Sequence, residues 1–313
     1  MSAFQLLIRT TNSGTSSSTQ FTLPGDSGET YDFVIDWGDG GADETINSGS
    51  SWTHTYSSGG DYTLSITESS TGGFPAIKFN NGGDKLKVLE LANWGTNKWI
   101  TFEDAFYGCS NLTITATDHA TAVTGFVTDF SFAWRDNSLT SFPLIDTSSG
   151  TNFRYSWVNN SLTSFPLIDT SSGTNFSFAW FNNSLTSFPL IDTSSGTNFY
   201  YTWRDNSLTS FPLIDTSSGT NFGIAWAGNT INTGDYNALL AGLSANANNS
   251  VTWGGGSSKY HDTGQTQRDI LTAAPRNWTI TDGGYDATYV PPSSGAPAQN
   301  AQHNNLRNIR MAP

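Results

Sequence analysis

The chain of 313 residues has one cysteine, 13 Lys and Arg, four His and no apolar run long enough for a membrane span. A single thiol, Cys109, excludes an internal disulfide and any cysteine-cluster metal site. His54, His119, His261 and His303 lie too far apart to form a ligand-spaced pair. With 26 Asp and Glu against so few cations, the net charge is −13, which disfavours nucleic acid and anionic membrane surfaces as partners. A membrane-spanning helix needs about 18 or more apolar residues in a row, so no insertion is expected. The first ten residues lack a basic stretch and a sufficiently long apolar segment for a secretory signal. Charged residues make up only 12% of the chain, yet aromatics reach 13%, with 11 Trp and 20 Phe. So aromatic a sequence is not a disordered polar tract.

What is present is repetition. The sixteen residues from Ser138 to Phe153 recur unchanged from Ser161, Ser184 and Ser207, at an offset of 23. Seven residues separate the copies, and all but a Trp and the last, an Asn, vary. A strict period of this length predicts a solenoid whose coils bury a shared core. Leu139, Phe142 and Leu144 fit the strand frame of a leucine-rich repeat, as do the sets beginning at Leu162, Leu185 and Leu208, and earlier Leu86, Leu89 and Leu91. In the other half of each coil a large, a small and a large residue stand at i, i+3 and i+4: Phe130, Ala133, Trp134, then Phe153, Ser156, Trp157, and onward to Phe222, Ala225, Trp226. That spacing predicts one face of a short helix; Phe132, Tyr155 and Phe178 would instead fit a strand. Pro143, Pro166, Pro189 and Pro212 each remove a ladder donor, so the strands should be short. Asp146, Asp169, Asp192 and Asp215 precede Thr-Ser-Ser-Gly and are expected to cap turns rather than form a calcium ladder.

Residues 1–80 have a different texture. Alternating segments at Gln20–Leu23, Tyr31–Ile35 and Asp61–Thr67, separated by Gly-, Ser- and Asp-rich turns, predict an antiparallel β-sandwich. Ile35-Asp36-Trp37-Gly38-Asp39-Gly40, His54-Thr55-Tyr56 and Gly60-Asp61-Tyr62-Thr63 occur in that order, and on them the region resembles a PKD-type immunoglobulin-like domain. Asp36, Asp39, Asp43 and Glu44 could hold a cation, but such a turn is more often only a turn. Phe102-Glu-Asp-Ala-Phe-Tyr-Gly-Cys109-Ser-Asn-Leu112-Thr resembles the BspA-like leucine-rich repeats of bacterial surface and bacteriophage proteins. Where that family places a cysteine three residues before the leucine, later coils carry Asp136, Asn159, Asn182 and Asp205, as a buried polar ladder or as turn caps.

The expected fold is mainly β with short helices: a PKD-like β-sandwich over 1–80, a leucine-rich-repeat solenoid of 23-residue coils over 81–228, a capping unit over 229–284 and an extended tail over 285–313. In the cap, Tyr236–Leu243 reads as an amphipathic helix. No nucleophile elbow, nucleotide loop or zinc motif occurs, and no cofactor, bound metal or catalytic residue is expected. On the helix reading, the first and fifth residues after each Phe face outward: Ser131 and Arg135, Arg154 and Val158, Ser177 and Phe181, Tyr200 and Arg204. Arg154, Val158, Phe181, Tyr200 and Arg204 therefore form the candidate binding face, being types favoured at interfaces or set among them. Leu306, Arg307, Ile309 and Arg310, in a tail segment without acids, are candidates for docking into an assembly. The resemblance implies a non-enzymatic bacteriophage virion protein, a tail or head fibre or decoration, at the virion surface. Its partners would be other virion proteins, a host receptor or glycan, and further copies of itself as a homo-oligomer. A bacterial cell-surface adhesin and a carbohydrate-binding or carbohydrate-active module are the alternatives.

Overall fold

The structure, a computed structural model, describes residues 2–69, 73–118, 126–245 and 249–292. It is mainly β, with two α-helices among the described residues.

Six strands open the chain: β1 (Phe4–Arg9), β2 (Gln20–Pro24), β3 (Phe33–Asp36), β4 (Glu44–Ile46), β5 (Ser51–Thr55) and β6 (Asp61–Glu68). Their sequences alternate, so Phe4, Leu6 and Ile8 turn inward along β1, and Leu64 and Ile66 along β6. β2 and β5 form an antiparallel ribbon. Trp52 of that ribbon meets Phe33 of the larger sheet edge to face at 5.1 Å, closing a core between the two layers. The larger sheet runs β4-β3-β6-β1-β7-β8, where β7 is Val88–Asn93 and β8 is Thr113–Ile114. β1 pairs antiparallel with β7, so residues on both sides of position 80 share one sheet. A buried lysine reinforces this joint. Lys87 Nζ donates to the carbonyls of Ser16, Ser17 and Gln20 at 3.1, 2.8 and 2.8 Å, while buried Asp84 accepts from the Ser16 and Thr22 N–H groups. In β7 the inward residues are Val88 and Leu91, not the expected Leu86 and Leu89.

Beyond β8 the repeats stack in register. Isolated parallel bridges join Asp129, Asn152, Asn175, Asn198 and Asn221 in succession. Buried rings stack along the same direction. Trp134, Trp157, Trp180 and Trp203 are separated by 5.7, 5.3 and 6.0 Å, and Phe142, Phe165, Phe188 and Phe211 by 5.8, 6.0 and 5.7 Å. The indole N–H groups of these tryptophans have no hydrogen-bond partner. The column therefore uses the tryptophans for ring area.

The short helix expected in each repeat is absent. Ser131–Asp136 and its counterparts are runs of tight turns. Ala133 N donates to Phe130 O and Arg135 N to Phe132 O within the repeat. The N–H groups of Phe130, Phe132, Trp134 and Asp136 point instead to the carbonyls of Asn152, Arg154, Ser156 and Val158 in the next repeat, at 2.9, 3.0, 2.9 and 2.9 Å. A helix would have spent those donors internally. The turns need positive φ at the second and sixth residues of the run, and Phe132, Tyr155, Phe178 and Tyr201 adopt +58°, +58°, +59° and +61°. None is glycine, which is why composition hid the geometry.

The strand frame of Leu139, Phe142 and Leu144 also shifts. Leu139, Phe142 and Ile145 are buried, whereas Leu144 is 48% and Leu167 57% exposed. After the proline the backbone folds back at once, with Ile168 N donating to Pro166 O and the same contact at Ile191 and Ile214. That turn swings the isoleucine in and the leucine out. No strand forms there.

The polar residues before Leu139 divide their work differently from either expectation. Asp136, Asn159, Asn182 and Asp205 hold the left-handed turn position, φ +54° to +55°, which Gly108 and Gly228 occupy at the ends of the series. The buried slot of Cys109 is filled one residue later, by Asn137, Asn160, Asn183, Asn206 and Asn229, because the Cys109 repeat carries one extra residue before its leucine. Asn160 Nδ2 donates to Trp134 O at 2.8 Å and its Oδ1 accepts from Leu139 N at 3.1 Å. Asn183, Asn206 and Asn229 repeat both bonds. Each amide thus clamps two repeats. Asp146, Asp169, Asp192 and Asp215 cap turns as expected, accepting from the N–H two residues on at 2.8–3.0 Å.

The stack closes on α1 (Thr233–Ser244), β9 (Thr252–Gly254), α2 (Asp262–Thr272) and β10 (Thr279–Thr281). Asn232 caps α1 by accepting from Asp235 N. Trp226 N donates to Gly254 O, and Trp253 stacks on Trp226 at 4.2 Å, ending the tryptophan column under a covering ring.

Candidate interaction surface

Unlike the sixteen unchanged residues, the variable positions between them place side chains of differing type on one outer face. At its centre is the second residue of each turn run. Its positive φ directs Phe132, Tyr155, Phe178 and Tyr201 into a half-buried outer column, with successive rings 4.9, 4.4 and 4.8 Å apart. Tyr107, which stands at the position of Arg135 in its own repeat, extends the column 6.2 Å from Phe132. The spacing of Phe132, Tyr155 and Phe178 had shown the aromatics, though not that they face outward.

Arginines lie on this column. Arg135 sits over Tyr107 at 4.9 Å and Tyr155 at 5.1 Å, Arg154 over Tyr155 at 4.9 Å and Phe132 at 5.7 Å, and Arg204 over Tyr201 at 4.5 Å and Phe181 at 5.9 Å. Such contacts fix a long side chain in place. Arg135 and Arg204 also pair with Asp136 and Asp205, at 3.4 and 3.2 Å. Arg154 has no ion pair among the described residues. Alongside runs an amide and carboxylate row, in which Asn159 Nδ2 donates to Asp136 and Asn182 Nδ2 to Asn159, at 2.5 and 2.9 Å.

Of the expected face, Arg154, Phe181, Tyr200 and Arg204 come together here. Tyr200 is 36% exposed and lies across the next repeat, where Gly223 has no side chain to displace its ring. Its hydrogen bond to Tyr201 raises its pKa above the ordinary phenol value. Val158 does not belong. It is 2% exposed, a short side chain between the longer Arg135 and Phe181 of the flanking repeats. Ser131 and Ser177 are buried too, and Ser177 Oγ turns back to Asn175 at 2.8 Å. Leu306, Arg307, Ile309 and Arg310 lie outside the described residues.

The column rings stack on one another, so a partner meets their edges, the tyrosine hydroxyls and the guanidinium groups. This chemistry suits polar recognition more than insertion of an apolar group. In the N-terminal unit the acidic turn is occupied internally: Asp36 accepts from Gly38 N, Asp39 from Gly41 N and His54, and Glu44 from Trp37 Nε1. Among the described residues no group of three or more His, Cys, Asp or Glu is disposed to hold a metal ion. Cys109 is buried, and burial holds its thiol pKa well above the usual value. No described helix is long and apolar enough to cross a membrane. No family model, curated protein or solved structure matches the chain.

Proposed function

We propose that the chain is a non-enzymatic bacteriophage virion structural protein, a fibre or decoration whose leucine-rich-repeat-type solenoid presents a rigid face to the host surface. The observation that carries this reading is the contrast within each repeat. An unchanged scaffold supports a short variable stretch, and that stretch places Arg154, Phe181, Tyr200 and Arg204 on an aromatic column. Solenoids suit this division, because stacked repeats hold varied side chains at fixed spacing. The N-terminal unit is read as PKD-like, from its three motifs. They meet in space: His54 bonds Asp39 and stacks on Trp37 at 4.9 Å, and Tyr56 stacks on Tyr62 at 3.8 Å. Docking to the particle is assigned to a terminal segment, with other virion proteins and further copies of the chain as partners.

The test has two parts. Antibody against residues 1–80 should decorate intact particles at one structure, and purified protein should compete with particles for adsorption to host cells. Replacing Arg154→Ala, Phe181→Ser, Tyr200→Ser and Arg204→Ala together should abolish competition. Arg154 and Tyr200 are exposed, where substitutions usually change stability by no more than about 0.5 kcal/mol each. Phe181 and Arg204 are half-buried, so a circular dichroism melt should accompany the assay to show the variant folded. Full competition by the quadruple variant would overturn the assignment of this face.

A further inference from the structure

The unchanged part of each repeat has an outer face of its own. Leu144, Leu167, Leu190 and Leu213 form a row, each following a proline, and Leu144 and Leu167 are the most exposed. Two residues on, past a buried isoleucine, Asp146, Asp169, Asp192 and Asp215 form a second row. The result is an apolar stripe beside an acidic one. Packing does not call for Leu144 and Leu167, since Leu139, Phe142 and Ile145 already fill the interior, whereas Leu190 is half-buried against the core. Adjacent exposed leucines, Leu144 and Leu167, continued by the half-buried Leu190, mark an interaction surface.

One end of the stripe is already covered. α1 lies over it, so close that a Cβ on Gly242 would stand 2.9 Å from Leu213 Cδ1. The remaining rows, Leu144 to Leu190, lack such a cover among the described residues. Two stripes from separate copies would bring no cation to the aspartates, and in the antiparallel arrangement would set like charges together, which repel. The fitting occupant joins apolar to cationic residues and carries no acid.

The chain contains one such segment. Residues 293–313 have no Asp or Glu, and Leu306-Arg307-Asn308-Ile309-Arg310 repeats an apolar and then a cationic residue after three positions. Residues three apart share a face in a helix and in a polyproline II strand, so either conformation yields one apolar and one cationic row. Most cations elsewhere are engaged. Arg9, Lys78, Arg135, Arg204 and Arg268 pair with carboxylates, and Lys87 is buried beside Asp84.

The chain also arrives in the right place. Tyr289 and Pro291 line an open pocket with Gly234, Ala238 and Ala241 of α1, the helix that meets Leu213. Leu306 follows Pro292 by 14 residues, a reach of up to about 45 Å. The stripe is only three repeats long, and the Phe rings beneath it step by 5.7–6.0 Å. A tethered segment meets its seat at an effective concentration in the millimolar range, which favours the chain's own tail over that of a second copy.

We infer that the C-terminal tail folds back onto the stripe of its own chain, with Leu306 and Ile309 on the leucine row and Arg307 and Arg310 on the aspartate row. The inference rests on the stripe and the tail sequence, and stands whether or not the protein belongs to a virion. If the tail is also the docking segment, a partner must displace it from this seat.

The test uses the full-length chain with the photo-crosslinker p-benzoylphenylalanine replacing Met311. Illumination should give monomeric products with crosslinks mapped by mass spectrometry to residues 143–192. Their yield should fall at least fivefold in Arg307→Glu/Arg310→Glu and in Leu144→Ser/Leu167→Ser, and should fall with added salt. Crosslinked dimers, crosslinks elsewhere, no crosslinks, or an unchanged yield in the arginine variant would each overturn it. The arginine variant leaves the repeats untouched, so it decides the matter even if the leucine variant fails to fold.

Discussion

In the N-terminal unit, buried side chains stand on strands that alternate inward and outward, and neighbouring strands supply the hydrogen bonds from distant parts of the chain. In the repeats aromatic burial at least as dense is reached without strands. There the ladder joins residues about one period apart, carried by turns with positive φ, a buried asparagine clamp and stacked ring columns. The difference is one of modularity. A strand of the sheet is bound to partners scattered along the sequence, whereas a repeat is bound only to the repeats before and after it. Register errors should therefore be fatal in one region and whole-unit losses harmless in the other.

The largest effect should come from violating the period. Deleting Ser161–Asn183 joins Asn160 to Ser184, restores every column and should leave a folded, shorter protein. Deleting only Ser161–Ser172 puts Trp and Asn positions out of register and should abolish cooperative unfolding. Circular dichroism melts of the two variants check this. Like behaviour of the two would refute nearest-neighbour stacking.

Next is Trp157→Ala. Trp157 is fully buried between Trp134 and Trp180 and touches Phe142 and Phe165 edge to face at 5.3 and 4.9 Å. Loss of about 3–5 kcal/mol is expected, as for other buried aromatics cut to alanine. A melting temperature within a degree of the parent would show that the column does not hold the repeats together.

These two tests concern what the sequence made legible. The period, the ring columns, the alternating N-terminal strands, the turn-capping aspartates and the Tyr236 helix were all readable, because each rests on spacing or on a residue with one dominant local role. The turn runs were not. Large, small, large at i, i+3 and i+4 suits a helix and equally suits consecutive tight turns, and the decisive residues, Phe132 and Tyr155, are types that seldom take positive φ. Gly108 and Gly228, flanking Asp136, Asn159, Asn182 and Asp205 in one structural column, were the available clue. The turns also rearrange the candidate face: Val158, outward on a helix, is buried, and Tyr155 and Tyr201 face outward instead. The leucine frame failed for a related reason, since the proline that shortens a strand here abolishes it and exchanges Leu144 for Ile145.

A middle-sized effect separates the clamp from ordinary surface ladders. Asn183→Ala would leave Leu162 N–H and Trp157 C=O without their side-chain partner in a buried place. Unpaired buried groups of this kind cost about 1–3 kcal/mol each, so a loss of about 2–3 kcal/mol is expected in chemical denaturation. Thr22→Ala in the N-terminal ribbon removes only an exposed contact to Thr53 and should change stability by less than about 0.5 kcal/mol. Equal effects would mean that the clamp is relaxed or hydrated.

The smallest expected effect is a pH dependence that differs between the two regions. In the N-terminal unit, hydrogen bonds from Gly28 N–H and Lys78 hold Asp26 below the ordinary aspartate value of 3.8, those from His54 and Gly41 N–H do the same for Asp39, and Arg9 does so for Asp61. A carboxylate whose folded pKa lies below its unfolded one contributes stability above the unfolded value and loses it as the pH falls through the folded value. These contributions should therefore fade as the pH drops below about 4. At the first repeat the sign is opposite: burial raises Asp104, so acid relieves a cost there. The tryptophan column and the asparagine clamp contain no titrating group in this range. Hydrogen exchange at pH 7 and pH 3, corrected for intrinsic rates, should show protection falling by a few-fold in β1, β3 and β6 and holding between residues 153 and 229. Earlier loss of protection in the repeats would place the acid-sensitive contacts there, and would remove the contrast on which the comparison of the two regions rests.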